Sequence, residues 1–132
     1  MLTNNLLVLK KTILGLAVGW TLLIAFLCLI SFNDIPDIEV KSADKFVHAI
    51  FYFVLVMLWG IYSMLKLDEI RVPKIILLVI GAVLYGILLE VLQGTLTATR
   101  HADAIDVLAN SIGALLALMV FLFIKRQQAQ KH

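Results

Sequence analysis

Between Tyr85 and Asn110 the chain sets Glu90, Gln93, Arg100, His101, Asp103, Asp106 and Asn110, which together offer acid, base, cation and amide groups. Apolar segments flank them on both sides. An ionisable side chain at membrane depth costs at least about 2.5 kcal/mol on insertion scales, so each one there is a site hypothesis. A second group comes earlier. Asp44, His48 and Tyr52 stand at i, i+4 and i+8 and share one helix face, with Lys45 beside them. Glu90 and Gln93 are one turn apart, with Gly86 one turn before Glu90. Asp103, Asp106, Asn110, Gly113 and Ala117 recur at intervals of three and four, a stripe polar at one end and small at the other.

These residue types suit recognition of a charged headgroup. Arg100 and Lys45 can hold phosphate, His48 or His101 can move a proton, and Glu90 or Asp106 can orient the histidine. What is missing is a nucleophile, because Thr95, Thr97 and Thr99 have no activating arrangement around them. His48, Glu90, His101 and Asp106 are ligand types for zinc or manganese. Neither His-x-x-x-His nor Glu-x-x-His occurs on one helix, so no metal and no cofactor is assigned. Plain structural roles exist for the rest. Asp44 reads as a helix cap, and Asp103 as a residue facing water. Lys45 marks an interface or pairs with an acidic headgroup or Asp106. Tyr52, Gln93 and Asn110 serve as interhelical hydrogen-bonding groups. His48, Glu90, Arg100 and Asp106 resist that treatment, since a titratable group at this depth needs a partner.

The elements that position these residues follow from composition. The chain has 132 residues and is 62% hydrophobic, far above the roughly 45–50% of soluble domains, which makes it an integral membrane protein of one domain spanning residues 1–132. A formal charge of +2 with dispersed basic residues excludes a nucleic-acid partner. Cys28 is the single cysteine, so no intrachain disulfide forms. The first apolar stretch is longer than a signal-peptide core and lacks an Ala-x-Ala site, so it is read as a retained helix.

A hydrocarbon core of about 30 Å needs about 20 apolar residues in a helix. Four stretches qualify, at about 12–32, 45–65, 73–96 and 104–124. The fold class is therefore an all-α membrane protein, a four-transmembrane-helix bundle. Asn33-Asp34-Ile35-Pro36-Asp37 stops the first helix, Ser42 or Asp44 caps the second, and Pro73 fits the first turn of the third. Gly15 and Gly19 form a weak Gly-x-x-x-Gly pair, read as chance or as a contact within the bundle. Trp59 and Tyr62 read as interfacial anchors.

Eight basic residues, Lys10, Lys11, Lys66, Arg71, Lys74, Lys125, Arg126 and Lys131, fall on one side, and only Lys41, Lys45 and Arg100 on the other. Both termini are thus expected to be cytoplasmic. At about 1.5 Å per residue, His48 lies about one turn below the outer surface, Glu90 one to two turns, Asp106 within the first turn and Asn110 one turn deeper than Asp106. Polar side chains of three helices share one slab. They are expected to form an outward-facing pocket roofed by Thr97, Thr99, Arg100 and His101. The polar residues do not continue into the inner half, which argues against conduction.

The chain resembles the VanZ-like membrane proteins, a family associated with teicoplanin resistance. The resemblance rests on Asp44-Lys45-x-x-His48 followed by Tyr52 and Trp59, on Tyr85-Gly86-x-x-x-Glu90-x-x-Gln93, and on Arg100, Asp103, Asp106-Val107-x-Ala109-Asn110 and Gly113. It covers about residues 32–121 and implies a multi-pass protein of the bacterial cytoplasmic (inner) membrane with a role in lipoglycopeptide tolerance. It supplies no reaction. The expected partners are membrane lipids and a lipid-linked wall precursor or the lipoglycopeptide itself. The competing reading is a membrane-embedded enzyme acting on a phospholipid or polyprenyl-phosphate headgroup.

Overall fold

The computed structural model describes residues 2–30, 41–96 and 103–131. They form four helices, α1 (Leu2–Leu29), α2 (Lys41–Leu67), α3 (Val72–Leu96) and α4 (Ala104–Ala129), with no strand among the described residues. Each is long and apolar enough to cross a membrane. Even α3, the shortest at 25 residues, extends about 38 Å, which exceeds a hydrocarbon core of about 30 Å.

α3 and the start of α4 fall where expected, but three helix ends extend further. α1 starts at Leu2 and takes in Lys10 and Lys11, α2 starts at Lys41, and α4 continues to Ala129. Hydropathy marks where lipid ends, whereas backbone hydrogen bonding continues through good helix formers such as Leu, Lys, Gln and Ala. Asp44 consequently lies inside the first turn of α2 and does not occupy the cap position before it. Asp44 there still complements the positive end of the helix dipole. α1 ends at Leu29. Ser31, Phe32 and the stop sequence Asn33–Asp37 lie outside the described residues.

α2 is the central element and packs against the other three, while α1 touches α2 and α3 but not α4. Lipid is as apolar as leucine, so helices in a membrane associate by close fit and polar contacts instead of by hydrophobic burial. The α2–α4 seam shows this directly. A Cβ on Gly113 would stand 2.8 Å from the carbonyl carbon of Ala49 and 3.0 Å from its Cα, and nearer still to its oxygen. On Gly60 it would run into the Phe121 ring. Ala109, Ala114 and Ala117 are buried along the same helix. Many larger apolar side chains, among them Leu22, Phe26, Leu84 and Leu115, point outward as a lipid-facing surface.

Residues 68–71 join α2 to α3. Asp68 ends α2 with a φ of 58°, a left-handed conformation that Asp tolerates better than most residues. Ile70 then folds back onto Ile75 and Phe121. This short return fixes α2 and α3 as antiparallel neighbours.

α1 is held by polar anchors near its middle. Trp20 Nε1 donates to the Phe51 carbonyl at 3.0 Å and meets the Phe51 ring edge-on. Trp59 Nε1 donates to Thr21 Oγ1 at 3.1 Å, and the Tyr85 hydroxyl donates to the Thr21 carbonyl at 2.6 Å. Trp59 is therefore engaged inside the bundle and does not serve as the interfacial anchor expected of it. Gly15 and Gly19 face outward, with no heavy atom of the described residues within 4 Å of a Cβ on either, so of the two readings, chance and a contact within the bundle, the contact is not made among the described residues.

Candidate functional site

Three helix ends converge at one end of the bundle. The first turns of α2 supply Lys45 and His48, the start of α4 supplies Asp103, Asp106 and Asn110, and the last turns of α3 supply Glu90 and Gln93. Asp103 is the N-cap of α4, with extended backbone (φ −118°, ψ 115°), and its Oδ1 accepts the Ile105 N–H at 2.8 Å. This cap bond satisfies one of the orphan donors at the helix start. The other oxygen of the same carboxylate accepts from Lys45 Nζ at 2.6 Å. Lys45 Nζ also donates to Asp106 Oδ1, so one ammonium joins two carboxylates on successive turns of α4.

The chain of contacts continues inward. Asp106 Oδ2 faces His48 Nε2 at 3.9 Å, an electrostatic approach too long for a hydrogen bond. On the far side of the ring, His48 Nδ1 meets Asn110 Oδ1 at 3.1 Å. Glu90 closes the arrangement from α3, its Oε2 accepting the Asp103 backbone N–H at 3.1 Å. His48, Glu90, Gln93, Asp106 and Asn110 are all buried. The start of α4 thus supplies polar partners to both α2 and α3.

Tyr52 lies one turn below His48 on α2. It is 1% exposed, and its hydroxyl has no hydrogen-bond partner among the described residues. Gly86 keeps open the space beside it. A Cβ there would come within 3.2 Å of the Tyr52 hydroxyl and 3.0 Å of Asn110 Nδ2. Asp44 sits exposed at the rim. Asp44, His48 and Asp106 could each offer a ligand atom within 4.8 Å of one another, a set of three that spacing along single helices did not reveal. The Lys45 ammonium already supplies positive charge to Asp106, and a metal ion would have to compete with it.

Of the residues singled out from sequence, Lys45, His48, Glu90, Asp103, Asp106 and Asn110 are brought into one network. Tyr52 lies beneath it and Asp44 at its edge. Gln93 is buried on the Glu90 face of α3. Arg100, with Thr97, Thr99 and His101, lies outside the described residues. Asp103 was expected simply to face water. It keeps 40% of its side chain exposed while capping α4 and pairing with Lys45. Its position immediately before the first apolar turn was the available signal for the cap. The hydroxyls of Thr95 and Ser111 donate to carbonyls of their own helices, so neither is presented as a nucleophile.

The Lys45 hydrogen bond, and then the Ile105 N–H, hold the Asp103 carboxyl below its ordinary pKa of 3.8. A depressed carboxylate contributes stability that is complete above its unfolded value and is lost as pH falls through the lower folded one. The Asp103 contribution should therefore survive to about pH 4 and disappear in stronger acid. Among variants, Asp103→Asn should melt below wild type, because it keeps an acceptor for the cap but loses the charge facing Lys45. Asp103→Ala should melt lower still. Thermal melts in nanodiscs at pH 7 check the order.

The VanZ/LLP1 family model matches residues 5–125. No curated protein and no solved structure matches the chain. The match takes in all four helices together with Lys45, His48, Glu90, Asp106 and Asn110, and the chain belongs to the VanZ family.

Proposed function

We propose that this VanZ-family protein works in the bacterial cytoplasmic membrane with both termini inside, and that its polar cluster faces outward. There it recognises the polar part of a lipid-linked wall precursor or of a lipoglycopeptide, and so contributes to teicoplanin tolerance. The observation that carries the reading is the convergence of Lys45, His48, Glu90, Asp103 and Asp106 from three helices at one end of the bundle. A buried ion-pair network is weak support for a fold, since well-packed apolar residues of similar volume are often as stabilising. A network kept at that cost is better explained by what it binds. The distribution of eight basic residues to one side and three to the other supports the orientation.

Glu90→Gln and Arg100→Gln test the proposal. Gln at 90 keeps the volume and an oxygen to accept the Asp103 N–H, and removes only the charge. Gln at 100 cannot reproduce the bidentate, charge-assisted contact of a guanidinium. Expressed at matched levels in a susceptible bacterium, both should insert normally and lose teicoplanin tolerance. Full tolerance in both would reduce the cluster to scaffold. A change in the phospholipid or polyprenyl-phosphate pool that depends on Glu90 would instead mark an enzyme.

A further inference from the structure

Between the middle of the bundle and its end opposite the polar cluster, two cavities lie along the α2–α3 seam, the deeper one lined also by Thr21 of α1. The deeper one, about 370 Å³, reaches Leu55, Gly81 and Tyr85, and the outer one, about 250 Å³, reaches Tyr62, Lys66 and Lys74. They share Trp59, Leu77 and Leu78 and so form one groove. Its α2 wall from Leu55 to Lys66 and its α3 wall from Tyr85 to Lys74 each rise about 16 Å. That is the depth of one leaflet of a hydrocarbon core about 30 Å thick.

The two halves of the groove differ in chemistry. In the deep half the polar groups are already engaged, Trp59 Nε1 with Thr21 Oγ1 and the Tyr85 hydroxyl with the Thr21 carbonyl. What remains is an apolar wall without free donors. At the mouth, Lys66 and Lys74 are exposed, and neither has an acidic partner among the described residues. The nearby acids are turned elsewhere. Glu69 pairs with Arg71, and Asp68 and Glu69 line a separate depression shared with Lys125. A slot one leaflet deep, apolar inside and cationic at the interface, matches a hydrocarbon chain carrying an anionic head.

We propose that the α2–α3 groove holds one acyl chain of an anionic phospholipid, with its phosphate between Lys66 and Lys74. Gly81 offers a clean way to close the groove. No heavy atom lies within 4 Å of a Cβ at that position, so Gly81→Leu can fill the slot without displacing a neighbour.

The full chain is reconstituted in bilayers that mix unlabelled phosphatidylcholine with brominated phosphatidylglycerol or brominated phosphatidylcholine, and tryptophan quenching is read. Trp59 lines the groove. The expected result is an apparent affinity at least threefold higher for phosphatidylglycerol. That preference should fall to parity in the Lys66→Gln, Lys74→Gln double variant, and the additional quenching should vanish in Gly81→Leu. Equal quenching by the two lipids in wild type would overturn the proposal. So would a preference that survives in the double variant, whose substitutions are at the surface and leave the packing untouched. A lipid-free dimer in native mass spectra that Gly81→Leu disperses would overturn it in favour of a second copy of the chain.

Discussion

Gly113→Val is expected to remove folded protein from the membrane. The added Cβ would overlap the Ala49 carbonyl of α2, and a backbone carbonyl, unlike a side chain, cannot rotate aside. Relief requires α2 and α4 to separate along the seam where the bundle is closest. Overpacking with side-chain neighbours costs about 1–3 kcal/mol, and a backbone neighbour places this substitution at or above the upper end. The same separation would draw His48 away from Asn110, because Ala49 and His48 are adjacent on α2 and Gly113 lies one turn from Asn110. Size-exclusion profiles of tagged protein in mild detergent should show the monodisperse wild-type peak replaced by aggregate. A wild-type profile for Gly113→Val would mean that the α2–α4 seam is looser than described.

The second large effect concerns Lys45. Removing its ammonium in Lys45→Gln leaves Asp103 and Asp106 facing one another across one turn of α4, with Asp106 buried. Breaking a buried pair costs about 3–5 kcal/mol. Lys45 keeps 28% of its side chain exposed, and solvent screening brings the expected loss nearer 2 kcal/mol. Asp106→Asn relieves the crowding while keeping an acceptor. The double variant should then be more stable than the sum of the two single losses by about 1–2 kcal/mol. Thermal unfolding of all four proteins in nanodiscs measures that coupling. Strict additivity would show that the ammonium and the carboxylate do not interact.

Much of the architecture can be read from residue order because a bilayer allows few solutions. Four apolar runs with no alternating pattern leave a helical bundle as the answer. The adjacency of Lys45, His48, Glu90, Asp106 and Asn110 was legible too, since helical rise and face periodicity place side chains of different helices at a common depth. What escaped was the contact between particular atoms. Lys45 was read as marking an interface or as pairing with an acidic headgroup or Asp106, and it bridges Asp106 and Asp103 together. Trp59 looked like an interfacial anchor because an indole near a helix end usually is. Its N–H instead reaches Thr21 on a helix that sequence periodicity could not orient. α1 has a nearly uniform apolar surface, so its seating depends on a few hydrogen bonds at Trp20 and Thr21 that only the packed bundle reveals. The starts of α1 and α2 and the end of α4 lie beyond the apolar runs for a related reason, as hydropathy records the edge of the lipid and not the last backbone hydrogen bond.

Beyond joining three helices, the polar cluster is proposed to recognise a ligand. Equilibrium binding of teicoplanin, and separately of a lipid-linked wall precursor, to the purified protein in nanodiscs tests it most directly, with wild type beside Glu90→Gln. Saturable binding of at least one of the two by wild type is predicted. It should weaken about tenfold or more, a loss of at least about 1.4 kcal/mol, in a variant whose melting temperature is unchanged. Equal affinity in the two proteins, or no binding of either ligand to wild type, would contradict it.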